Sequence, residues 1–117
     1  MLLIYNNPEA MAAMPEDEMQ AIYGRVDAVL AALRASGELV GGEGLAPPSS
    51  GKIVRVRDGV VATTDGPFAE AKEQFAGYVT VDVASEERAV EIAAGWPGAE
   101  RGTMEVRAVM GSADDGR

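Results

Sequence analysis

Apolar residues recur along this chain with two different periods, and the changes of period mark out its elements. Between residues 15 and 36, Met19, Ile22, Tyr23, Val26, Val29, Leu30 and Leu33 fall three and four apart. That spacing collects them on one stripe of an α-helix. Pro15 suits a first helical turn, and Glu16, Asp17 and Glu18 place negative charge at the positive end of the dipole. Gly37 suits the residue just past the helix end. Ala89, Ile92, Ala93 and Trp96 repeat the pattern in a second helix, with Ser85 as its N-cap and Pro97-Gly98 as its stop. Elsewhere the period is two. Phe75, Gly77, Val79, Val81 and Val83 alternate with Ala76, Tyr78, Thr80 and Asp82, which predicts a half-buried strand. Met104, Val106, Ala108 and Met110 alternate with Glu105, Arg107 and Val109 in a last strand. Leu2-Leu3-Ile4-Tyr5 is a short apolar run stopped by Asn6-Asn7-Pro8, a buried first strand.

The middle of the chain is punctuated differently. Residues 38–40 predict a short strand, and the Gly-, Pro- and Ser-rich residues 41–51 predict a loop. Asp58-Gly59 stands between two β-type runs, 53–57 and 60–64, the strongest short signal for a hairpin with a type I′ turn. A two-residue loop sets Arg57 opposite Val60, Arg55 opposite Ala62 and Val54 opposite Thr63, so Arg55 and Arg57 share the face opposite Val54 and Val56. Residues 69–73 suit a single helical turn. The order strand, helix, strands, helix, strand predicts an α+β fold, a ferredoxin-like protomer with an inserted β-hairpin. Residues 1–110 form one domain, without repeat or linker, and 111–117 a flexible tail. Two helices cover one face of such a sheet, so a homodimer is expected to bury the other.

Composition narrows the chemistry. The 117 residues include 19 Asp and Glu against 10 Lys and Arg, for a net charge of −9. Phosphate backbones are bound by Lys and Arg, so direct nucleic-acid binding is set aside, and anionic membranes with it. The opening ten residues lack a basic leader, and no apolar run approaches the ~20 residues of a membrane span. A cytoplasmic protein is expected. Without cysteine or histidine there is no thiolate nucleophile, no Ser-His-Asp triad and no common zinc site. No metal or cofactor is expected.

What remains are carboxylates, arginines and tyrosines. Asp65 stands before Gly66-Pro67-Phe68. Asp, Gly and Pro are turn residues, yet a carboxylate beside an apolar wall such as Phe68 is also an acid-base candidate once desolvated. Arg55, on a strand, has a defined facing direction and suits either a surface ion pair or a bidentate grip on an anion. Glu43 sits among glycines that let backbone approach a ligand, or simply turn the chain. Glu73, Tyr78 and Tyr5 are supporting polar groups, and tyrosines with satisfied core hydrogen bonds are the plainer reading.

Four blocks in order carry a family resemblance: Gly41-Gly42-Glu43-Gly44-Leu45, then Val54-Arg55-Val56-Arg57-Asp58-Gly59, then Thr64-Asp65-Gly66-Pro67-Phe68-Ala69-Glu70 with Lys72-Glu73-Gln74, then Gly77-Tyr78. Together they resemble the DGPF branch of the YCII-related (YciI-like) family over nearly the whole chain. The resemblance implies a dimeric α+β barrel built from ferredoxin-like protomers. It also implies small-molecule chemistry in a cleft where an aspartate faces a histidine. Asp65 matches that aspartate, and the histidine has no counterpart here. Members of this branch are often encoded beside extracytoplasmic-function sigma factors. Two functions are therefore expected in competition. One is a protein that binds or transforms a small polar or anionic molecule through Asp65. The other is a non-catalytic dimeric module acting with a sigma factor.

Overall fold

The computed structural model describes residues 1–67 and 71–111. Strand β1 spans Leu2–Asn6, helix α1 Pro8–Ala12, helix α2 Glu16–Ser36 and strand β2 Leu39–Gly44. A 3-10 turn at Pro48–Ser50 leads into strands β3 (Lys52–Arg57) and β4 (Val60–Asp65). Strand β5 (Gln74–Val81), helices α3 (Glu86–Ala94) and α4 (Gly98–Arg101) and strand β6 (Thr103–Val106) follow. Strands β2, β5, β1 and β6 lie side by side in that order, antiparallel at each junction. This mixed α+β arrangement is compatible with a ferredoxin-like fold. Strands β3 and β4 form a separate two-stranded sheet, in the register that the two-residue loop dictates.

The core follows from the two periods. Leu2 pairs with Val79 on one side and Val106 on the other, and Ile4 pairs with Met104. These side chains meet Leu33 of α2 and Ala89, Ile92 and Ala93 of α3, with Trp96 just beyond α3. The alternate strand positions, Leu3, Tyr5, Tyr78 and Glu105, point to the other face of the sheet.

Several local expectations are corrected. Asn7 does more than stop β1: its Oδ1 accepts from the Glu9 and Ala10 amides at 2.9 and 3.2 Å, and caps the unforeseen helix α1. Gly41 to Gly44 continue β2 rather than starting a loop, and the glycines serve close packing. A Cβ on Gly42 would lie 2.6 Å from the Tyr78 carbonyl oxygen. The expected strand through 110 ends at Val106. Of the expected helical turn at 69–73, residues 69 and 70 lie outside the described residues, and 71–73 are not helical.

Phe75 is the most consequential correction. The alternation grouped it with Gly77 and Val79. Tyr5 pairs with Phe75 while Ile4 pairs with Gly77, so β5 carries one extra residue, Ala76, at that point. This bulge turns Phe75 onto the Tyr5 face. The two rings meet edge to face, with centroids 5.7 Å apart.

One ion pair ties the sequence-distant parts together. Arg88 of α3 grips Glu38 at two points, Nε to Oε2 and Nη2 to Oε1, both at 2.9 Å. Ser36 Oγ donates to the same carboxylate at 2.8 Å. The Arg88 hydrogen bond first, and the Ser36 bond second, hold the Glu38 carboxyl down at about 2, against an ordinary value of 4.5. A carboxyl depressed in the folded state contributes fully above its unfolded value and is lost as pH falls toward its folded value. Thermal unfolding followed by circular dichroism should show this between pH 4.5 and about 2. Across that window the melting temperature of the native protein should fall more steeply than that of Glu38→Gln. Equal slopes would reject the assignment.

Candidate functional site

The candidate residues separate into two groups. The first is at the base of the β3–β4 hairpin. Asp65 ends β4 and pairs in register with Lys52, whose ammonium forms an ion pair with its carboxylate. The Asp65 side chain is 75% exposed, so water screens the pair. Gly66 then turns the chain and donates its amide to the Gly51 carbonyl at 2.9 Å. Arg55 lies opposite Ala62, on the other face of the hairpin from Lys52 and Asp65. The alternation of a strand separates Arg55 from Asp65, so the hairpin does not join them in one grip. Phe68 lies outside the described residues.

The second group lies on the sheet. Glu43 of β2 stands directly opposite Tyr78 of β5. Tyr5 donates its hydroxyl to Glu105 Oε1 at 3.0 Å. Arg107 donates to Glu105 Oε2 through Nε at 3.0 Å and Nη2 at 2.5 Å. The Arg107 bond first, then the Tyr5 bond, lowers the Glu105 pKa, and the bond to Glu105 raises that of Tyr5. Tyr5 is thus a proton donor to a charged acceptor and not a base. Glu73 accepts from Thr103 Oγ1 at 2.7 Å, and Thr103 pairs with Tyr5 in the ladder. Among the described residues no group of three or more His, Cys, Asp or Glu could hold a metal ion.

Between these groups the surface is concave. A cleft of about 570 Å³ is walled by Asn7 and Pro8 at the end of β1, Pro48 and Ser49 of the 3-10 turn, Pro67, and Lys72 and Gln74 leading into β5. Prolines and alanine give it apolar walls, and Asn7, Ser49, Gln74, Lys72 and Glu9 give it polar points. Lys72 is the one cation among these lining residues. Asp65 itself does not line the cleft, but it precedes Gly66-Pro67, which places Pro67 there. A second hollow of about 640 Å³ shares Pro8, Pro48 and Ser49 with it, and is more apolar through Met11, Met19, Tyr23 and Leu45.

Sequence reasoning passed over Lys52 and the Glu105–Arg107 pair, read Asn7 only as a turn residue and placed Lys72 only in a helical turn. Lys52 was within reach, because continuing the hairpin register past Val54 and Thr63 sets residue 52 opposite 65. Nothing local distinguishes Asn7 or Lys72, since their significance comes from meeting across the cleft.

The YCII-related domain model matches residues 1–112. An uncharacterised protein of Rhizobium meliloti (strain 1021) is 31% identical over 92 residues, covering 79% of this chain and 74% of that relative.

Proposed function

The chain belongs to the YCII-related family, and from that premise we propose that it binds a small anionic molecule in the cleft walled by Asn7, Pro48, Pro67 and Lys72. The observation that carries the reading is Lys72: the one cation among the described residues lining a largely apolar hollow, where Glu9 is the one carboxylate, with Asn7, Ser49 and Gln74 on the same lining. An ammonium there attracts a carboxylate or phosphate, and the amide and hydroxyl groups orient it. Binding alone is proposed, without a chemical step. Among the described residues no polar or charged residue is fully buried, and the reading therefore rests on binding groups and not on a deeply desolvated acid or base. Asp65 serves this site from behind, its pair with Lys52 holding the strand end from which Gly66 and Pro67 reach the cleft wall.

Ligand-induced melting shifts test this reading with a panel of small carboxylates and phosphates. A ligand at a hundred times its Kd stabilises the folded state by about 2.7 kcal/mol. At least one member should raise the melting temperature, and Lys72→Ala should abolish that rise while leaving the ligand-free melt unchanged. A panel without effect, or a shift that survives Lys72→Ala, would overturn it.

The same family premise supports a homodimer in which the open sheet face, with Leu3, Tyr5, Phe75 and Tyr78, packs on a second copy and gives a dimeric α+β barrel. The aromatic pair Tyr5–Phe75, with Phe75 exposed in the protomer, favours it, because such rings gain most when water is removed from both. The alternative of a regulatory module shares this dimer and needs no cleft, so the melting panel also separates the two readings.

A further inference from the structure

Helix α2 carries an apolar stripe longer than the core it serves. Val26, Val29, Leu30 and Leu33 of its C-terminal part pack in the core cluster. Met19 and Tyr23, one turn apart on the same stripe, stand outside that cluster. They wall the second hollow of about 640 Å³, together with Met11 of α1 and Leu45 just beyond β2. Backbone bonds hold the last two walls in place. The Met11 amide donates to the Asn7 carbonyl at 3.0 Å, and the Leu45 amide donates at 2.8 Å to the carbonyl of Ala76, the bulge residue of β5. Tyr23 is 54% and Leu45 50% exposed, so these walls leave apolar surface for an occupant to cover.

This hollow continues into the cleft, because Pro8, Glu9, Pro48 and Ser49 line both. Charge divides the two spaces. Among the described residues Lys72 lines only the cleft, and Glu9 is the one charged side chain on the second hollow. Asn7 stands with Lys72 on the cleft lining, and its Oδ1 already accepts from the Glu9 and Ala10 amides. Its Nδ2 hydrogens are what it has to offer, and they suit an acceptor such as a carboxylate. Magnitudes then decide what kind of anion fits. Lys72 is exposed, and an exposed ion pair strengthens binding by about fivefold at most. Each methylene moved out of water adds about fourfold when fully covered and about twofold when half covered. A bare acetate or phosphate gains only the first effect, and an anion with an aliphatic chain in the second hollow gains both.

We propose that the ligand is an amphipathic monocarboxylate, with its carboxylate at Lys72 and Asn7 and its aliphatic chain passing Pro8 and Pro48 onto Met11, Met19 and Leu45. Methionine walls suit such a chain, since their unbranched, polarizable side chains adapt to its shape. Glu9, where the two spaces join, repels a second anionic group along the chain. This inference rests on the anion-binding reading above, and names the class of ligand.

Equilibrium dialysis of the full chain against butanoate, hexanoate, octanoate, octan-1-ol and octanedioate, below their micelle-forming concentrations, tests both levels. Affinity should rise about two- to fourfold per methylene, so octanoate should bind at least about tenfold tighter than butanoate. Octan-1-ol, which lacks the charge, should bind about fivefold more weakly than octanoate, and Lys72→Ala should bring octanoate down to it. Octanedioate should bind more weakly than octanoate despite its equal length. Nuclear magnetic resonance of the chain with methyl-labelled methionine gives a readout that needs no variant: octanoate should shift the Met11 and Met19 methyl signals and leave that of the exposed Met110 in place. Met19→Gln keeps an unbranched helix former outside the core cluster and should reduce the preference for octanoate over butanoate. If butanoate and octanoate bind equally, both through Lys72, and the Met11 and Met19 signals do not move, the amphipathic ligand is overturned and the anion site stands. If octan-1-ol matches octanoate, or no carboxylate binds, both fall.

Discussion

Replacing Trp96 with alanine is expected to lower the unfolding free energy by about 3–5 kcal/mol. Net stability of a domain this size is only about 5–15 kcal/mol, so the change removes a large share of it. The melting temperature should fall by about 10–25 °C. Trp96 is 4% exposed and lies just after α3, where its carbonyl accepts from the Ala99 amide at 3.0 Å at the start of α4. Its ring closes the end of the core formed by Leu2, Ile92 and Ala93, and Gly98 approaches the ring edge. Alanine would leave a cavity where α3, α4 and the sheet meet, and close-packed neighbours relax into it only in part. Trp96→Phe, which fills most of that volume, should cost less than half as much. Chemical denaturation of the three proteins gives the comparison, and a loss below 1 kcal/mol for Trp96→Ala would show that the ring contributes little to the core.

Gly66→Ala should cost about 1–3 kcal/mol and weaken ligand binding together. A Cβ at Gly66 would overlap the Pro48 carbonyl oxygen, a backbone atom that cannot swing aside as a side chain can. Relief requires the 3-10 turn to move away from the strand end, and Pro48 and Ser49 of that turn wall the cleft. The same step strains the Gly66 amide bond to Gly51. Gly41→Ala is the control, since its Cβ would meet open space, and it should stay within about 0.5 kcal/mol of the native protein. If Gly66→Ala matches that control in denaturation and keeps the ligand-induced shift, the corner does not position the cleft wall.

Glycine shows why part of this protein was legible and part was not. Gly37 and Gly59 were readable because their roles are local: one follows a helix with φ 80°, the other completes an Asp-Gly turn with φ 77°. Gly42 and Gly66 looked like loop residues. Their reason is another segment's backbone, Tyr78 for one and Pro48 for the other, and no neighbouring residue announces it. The candidate site divides likewise. Glu43 and Tyr78 were named separately and stand opposite one another, whereas Arg55 and Asp65, also named separately, lie on opposite faces of the hairpin. That second outcome was available in the strand alternation. The Lys52 partner of Asp65 was available too, by counting the hairpin register to its end.

The chain by itself determined the two main helices and the stripe each turns to the core, the centres of the strands, and how β3 registers on β4. Backbone geometry imposes those periods residue by residue, so the order of apolar and polar side chains carries them directly. Tertiary structure alone decided the bulge that turns Phe75 toward Tyr5, the close approaches at Gly42 and Gly66, and the cleft that gathers Asn7, Pro48 and Lys72. Each of these depends on contacts between segments far apart in sequence. Such contacts are selected by packing and hydrogen bonding of the whole chain, and no local pattern encodes them.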